Sequence, residues 1–128
     1  MSTPNPTEGE LAILRVLWSR KAAMTVREMH EVLSRDKDTA YTTVLKMMTI
    51  MAEKGLVTRD ESERSHTYVP VHDEPVVQAS LLKDLMRRAF SGSALTLVQR
   101  AIDDDIASPE ELDAMSKLIA QAKAKRKR

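Results

Sequence analysis

The sequence predicts a mainly α-helical fold with a single small β-hairpin, and three observations carry that prediction. Apolar residues recur at helical spacing up to Lys54 and again from Glu74 onward. Between these stretches the period changes to short runs of β-branched and aromatic residues. Helix starts are marked by two Thr-x-x-Glu capping boxes, at Thr7 and Thr25, and by a Ser-Pro-Glu-Glu signal at Ser108.

Taken in order, Thr7-Glu8-Gly9-Glu10 opens a helix with Leu11, Leu14, Leu17 and Trp18 on one face, ending between Ser19 and Ala22. Thr25-Val26-Arg27-Glu28 opens a short second helix with Val26, Met29, Val32 and Leu33 inward. After the polar connection Ser34 to Asp38, Asp38 or Thr39 is expected to cap a third helix, Ala40 to Lys54. Its core face is Val44, Met47, Met48 and Met51, and Gly55 stands where a left-handed residue ends the helix. Leu56-Val57-Thr58-Arg59 and His66-Thr67-Tyr68-Val69-Pro70-Val71 read as strands joined by a wholly polar tip, Asp60 to Ser65.

From Glu74 the chain turns helical again, with Val76, Val77, Leu81, Leu82, Leu85, Met86 and Phe90 in one apolar stripe broken at Ser91-Gly92-Ser93. Leu95, Leu97, Val98 and Ile102 continue it until Asp103-Asp104-Asp105, where carboxylates disfavour a helix C-terminus. Ser108-Pro109-Glu110-Glu111 starts the last helix, with Leu112, Met115, Leu118, Ile119 and Ala122 on one face. Three helices followed by a hairpin is the order of a winged helix-turn-helix. The expected organisation is such a DNA-binding domain over residues 1–73, a helical dimerisation region over 74–122 and a frayed basic tail over 123–128.

Composition narrows the function. The 128 residues are 42% hydrophobic and 30% charged, as in soluble globular proteins. Aromatics reach only 3%, so the eight Met must fill gaps that rings would otherwise fill. The absence of Cys excludes disulfides, thiolate metal sites and cysteine nucleophiles. No apolar stretch approaches the roughly 20 residues of a membrane span, and MSTPNPTEGE has neither a basic nor an apolar signal region, so a cytoplasmic protein without membrane insertion is expected. His30, His66 and His72 stand on separate elements with no HExxH spacing, and there is no glycine-rich phosphate loop, so neither an enzyme nor a cofactor nor a metal is expected. The acidic run Asp103 to Asp105 reads as a solvated turn rather than a cation site.

In a helix-turn-helix the second helix of the motif enters the major groove and its first side chains reach base edges. Tyr41, Thr42, Thr43, Lys46 and Thr49 are the corresponding candidates: hydroxyls for bases, thymine methyls and phosphates, and one cation for a phosphate or guanine. Arg64, Ser65 and His66, near the hairpin tip, are expected to touch the backbone or minor groove. The plainer alternative makes Thr42 and Thr43 helix-start residues, Tyr41 a core residue and the tip a solvated loop, which Glu61 and Glu63 favour. Residues 1–73 hold ten Lys/Arg against eleven Asp/Glu, which keeps alive a winged helix used only for protein contacts. The tail, about fifty residues with continuous apolar stripes, is too small for a comfortable core of its own. A second copy packed on Leu81, Leu85, Phe90, Leu95, Val98, Ile102, Leu112, Met115 and Ile119 would cover it, and the alternative is that the tail folds back on its own domain. A twofold dimer presents two recognition helices to a palindromic double-stranded DNA operator.

The runs Ala40-Tyr41-Thr42-Thr43-Val44-Leu45 and Glu53-Lys54-Gly55-Leu56-Val57 resemble the penicillinase-repressor (BlaI/MecI) family. So do Leu17-Trp18, Arg64-Ser65-His66-Thr67-Tyr68, Phe90-Ser91-Gly92-Ser93 and Ser108-Pro109-Glu110-Glu111-Leu112, so the similarity covers nearly the whole chain. The resemblance implies a homodimeric repressor on an inverted repeat. It also implies a membrane-bound metallopeptidase sensor acting indirectly, through which an antibiotic signal leads to cleavage in the C-terminal part. This sequence departs from the family pattern in three places. Leu45 and Ile50 stand where many members carry Arg, the residues at Ser93-Ala94 do not match the best-known scissile pair, and the cysteine cluster of the copper-responsive branch is missing.

Overall fold

The structure is a computed structural model that describes residues 5–127. The first four residues of the expected 1–73 domain and Arg128 of the expected tail lie outside them. Six helices and two strands follow one another: α1 (Glu8–Arg20), α2 (Val26–Leu33), α3 (Tyr41–Lys54), β1 (Val57–Asp60), β2 (Thr67–Pro70), α4 (Glu74–Ala89), α5 (Ala94–Asp103) and α6 (Pro109–Arg126). The mainly α fold with a β-hairpin wing is therefore present, in the expected order. The chain packs as two units, one ending at Leu82 and the other running from Lys83.

In the first unit, α1 to α3 and the hairpin enclose one core. Ile13, Leu14 and Leu17 of α1, Met24, Val26 and Met29 around α2, and Val44, Met48 and Met51 of α3 meet Leu56, Val57 and Tyr68 of the hairpin. Four Met stand where a ring-rich core would hold aromatics, and their flexible stems fill the irregular space between crossing helices. Met47 is only partly buried. A Cβ at Gly9 would approach its Cε to 2.7 Å, so the missing side chain lets the first turn of α1 lie against α3.

The capping boxes form as the spacing requires. Thr7 and Thr25 each accept the N3 amide, while Glu10 and Glu28 reach back to the cap amides at 2.9 Å. Glu10 does more. It is only 5% exposed and also receives Lys54 Nζ at 2.7 Å, which pins the start of α1 to the end of α3. Burial alone would raise its pKa, but the hydrogen bonds from Lys54 and from the Thr7 amide together hold it below the ordinary carboxylate value. Gly55 ends α3 at φ 82, the left-handed conformation a side chain would strain.

The strands pair antiparallel, Val57 with Pro70 through Asp60 with Thr67. A third partner, marked by no local signal, joins them: Met24 forms a bridge to Tyr68, its amide donating to the Tyr68 carbonyl at 3.1 Å and its carbonyl accepting from the Tyr68 amide at 2.8 Å. The hairpin is thereby tied to the segment leading into α2. Trp18 Nε1 donates to the His72 carbonyl at 3.0 Å, holding the strand exit against α1.

In the second unit, α6 keeps the expected Ser108 cap with Pro109 at its start, and α5 gains a cap from Ser93, whose hydroxyl accepts the Thr96 amide at 3.1 Å. Helix α6 runs to Arg126, so the basic residues expected to fray up to that point are helical. Their last-turn cations suit the negative end of the helix dipole. Neither α5 nor α6 buries a single residue.

Candidate nucleic-acid interface

Helix α3 is presented by a turn that the sequence only partly revealed. Neither Asp38 nor Thr39 caps it: Ala40 is the N-cap and has no side-chain hydrogen bond. Thr39 is engaged elsewhere, its hydroxyl donating to the Lys37 carbonyl at 2.9 Å and its own carbonyl receiving His30 Nε2 at 2.7 Å. The His30 ring also meets Tyr41 edge-on, with centroids 5.7 Å apart. The first turn of α3 is thus set by α2, and its leading amides are left without a side-chain cap, a place an anion can occupy.

Tyr41, Thr42, Thr43 and Lys46 are all exposed on this helix, and Tyr41, at 44%, is not a core residue. Lys46 enters no ion pair among the described residues. Thr49 is half-buried and its hydroxyl donates to the Leu45 carbonyl at 2.8 Å, so that hydrogen is not available to a ligand.

The wing residues meet Tyr41. Arg64, Ser65 and His66 line one cleft of about 360 Å³ with Tyr41 and with Thr25, Val26 and Arg27 at the start of α2. Two guanidiniums and an imidazole therefore border the first turn of α3. Arg27, unlike Tyr41, Arg64, Ser65 and His66, is not a contact candidate on sequence grounds. The signal that points to it is its place at the start of the motif's first helix, the one that crosses the nucleic-acid backbone. The wing's acids are partly occupied within the wing. Glu61 lies 3.6 Å from Arg59 and 4.0 Å from His66, and Asp60 accepts the Ser62 amide at 2.9 Å, which holds its pKa below the usual value.

The opposite flank of α3 differs. The groove there is lined by Thr43, Met47, Arg15 and Lys37 but also by Glu8, Asp36 and Asp38. Carboxylates outnumber cations there, so this groove suits a polyanion less well than the wing-side cleft does.

In the second unit Leu85, Leu95, Val98, Ile102 and Ile119 are exposed, Leu95 by 76%, and Phe90, Leu112 and Met115 are half-buried, as is Leu81 at the end of the first unit. Asp103, Asp104 and Asp105 are exposed, and among the described residues no group of three His, Cys, Asp or Glu side chains could hold a metal ion. No described helix is long and apolar enough to cross a membrane.

Comparison with known proteins accounts for this arrangement. The family model described as penicillinase repressor matches residues 6–121. The transcriptional regulator BlaI of Mycobacterium tuberculosis is 35% identical over 116 residues, covering 90% of this chain and 83% of that protein. The penicillinase repressor of Bacillus licheniformis is 21% identical over 124 residues, covering 97% and 96%. The methicillin resistance regulatory protein MecI of Staphylococcus aureus is 18% identical over 113 residues, covering 88% and 91%. Among solved structures, the DNA-binding domain of the repressor BlaI superposes with a TM-score of 0.51 at 23% identity, over 59% of this chain and 93% of that one. The monomeric form of Bacillus licheniformis BlaI in complex with the blaP half-operator gives 0.50 at the same identity and coverage. At such identity the structural likeness speaks for the fold.

Proposed function

The chain belongs to the penicillinase repressor family, and on that premise we propose that it is a sequence-specific transcriptional repressor that binds an inverted-repeat operator as a homodimer. The observation that carries the reading is the cleft that gathers Arg27, Tyr41, Arg64, Ser65 and His66 beside exposed Thr42, Thr43 and Lys46. It supplies what a near-neutral composition hid, a local concentration of cations next to a helix start. Phosphates fix the register from the cleft while α3 reads bases. Relatives named as repressors, one of them solved on a half-operator, support the same reading.

Dimerisation rests on a second observation. In the second unit neither α5 nor α6 buries a residue, although both carry apolar stripes. A few hundred Å² of contiguous exposed apolar surface is the mark of an interface, and a second copy with the same stripe covers both. The interface residues are Leu81, Leu85, Phe90, Leu95, Val98, Ile102, Leu112, Met115 and Ile119. Relief of repression by an indirect signal from a membrane-bound metallopeptidase sensor belongs to the same reading. Its support is family membership alone.

Selection of duplexes from a random pool, followed by a salt titration on the winner, tests the function. An enriched inverted repeat whose log affinity falls linearly with log salt is the expected result. A folded sample that enriches nothing would move the chain to the rival reading, a winged helix that contacts only proteins.

A further inference from the structure

The exposed side of α3 carries a feature that phosphate binding does not use. Tyr41, Leu45 and Thr49 stand four residues apart, and so line up along one side of the helix. Leu45, in the middle, is 42% exposed and offers only hydrocarbon. Thr49 has spent its hydroxyl hydrogen on the Leu45 carbonyl at 2.8 Å, so its methyl is its remaining unengaged group apart from oxygen lone pairs. A single exposed leucine on an ordinary surface needs no explanation. This one lies in the second turn of the helix, between Thr42 and Lys46, on the same flank as Tyr41 and the cationic cleft. DNA drawn to those cations is brought against it.

The floor of the major groove presents hydrogen-bonding groups at every base pair except for one apolar feature, the 5-methyl group of thymine. Leucine pressed on a donor or acceptor leaves that group desolvated and unpaired, which is costly. Leucine on a methyl buries hydrocarbon on both sides. We infer that Leu45 is a specificity-determining residue that recognises the 5-methyl group of a thymine in the operator, an inference that rests on the DNA-binding function proposed above. The bound sequence therefore has a thymine at the base pair facing the second turn of α3, and readout there is by shape and hydrocarbon rather than by a hydrogen bond.

The test is a uracil scan. Each thymine of the selected duplex is replaced in turn by deoxyuridine, which keeps the base pair and removes only the methyl. Affinities are measured for the wild-type protein and for Leu45→Ala, an exposed helical change whose folding a thermal melt verifies. The expected result is a loss of about fourfold at one thymine position, the equivalent of one methyl in an apolar contact, that disappears in Leu45→Ala. A wild type indifferent to every uracil, or a Leu45→Ala protein that keeps the sensitivity, overturns the inference while leaving the repressor reading intact. A wild type that binds no duplex overturns the repressor reading itself, and this inference with it.

Discussion

Single side chains in this protein act through the company they keep. Lys46 is the one cation on the outward face of α3's first two turns, and a phosphate is the partner its point charge suits. Lys46→Ala should weaken binding to all duplexes alike and reduce the slope of log affinity against log salt by about one, as read in a salt titration of both proteins. Arg27→Ala should act in the same direction, and it separates the cleft from the helix because Arg27 belongs to α2. Glu10 gives a pH prediction. Its folded pKa is lowered, so its contribution to stability is complete above the ordinary carboxylate value and is lost as pH falls through the folded one. Urea unfolding between neutral pH and pH ~3 should show wild type losing stability relative to Glu10→Gln on the acid side. Parallel curves would remove the Lys54 pairing from the account.

Elements were legible where their signals are local. The capping boxes at Thr7 and Thr25 involve residues three apart, so spacing alone revealed them, and both formed. Thr25→Ala should cost about 1 kcal/mol of stability, the usual worth of such a cap, visible as a lowered urea midpoint with unchanged slope. Gly55→Ala should cost a similar amount through strain at its positive φ, since nothing within 4 Å would clash with the added methyl. The start of α3 departs from its local signal for a reason of the opposite kind. Asp38 and Thr39 have the chemistry of a cap, but His30, nine residues before Thr39, donates to the Thr39 carbonyl, and the N-cap is Ala40, one residue beyond the later of the two expected caps. Arg64 is legible from its place at the hairpin tip, but Arg27 is not, because only folding brings the start of α2 and the wing together at that cleft.

For the whole molecule, α5 and α6 bury no residue, so in the proposed dimer self-association is a condition of stability rather than an addition to it. Leu81→Asp or Leu85→Asp should convert the dimer to monomer in light scattering and lower operator affinity. A mutant that stays dimeric would place the interface elsewhere. The thermal midpoint of the wild type should rise with protein concentration. Composition gave the right class of protein but not the location of its charge. A domain with more acids than bases over residues 1–73 still gathers two arginines and a histidine at one cleft, and keeps Lys54 away from it in the pair with Glu10.

If the cleft seats DNA as proposed, the bridge between Met24 and Tyr68 bears on which duplexes fit it. Two backbone hydrogen bonds tie β2 to the residues just before α2, so the base of the wing and the start of α2 that flank the cleft are held together. A pair of arms with a fixed gap behaves like calipers. DNA whose local groove geometry already matches the gap enters without bending, whereas stiffer or wider sequence must be deformed to fit and binds less well. Base pairs that no side chain touches would then influence operator choice through their flexibility alone.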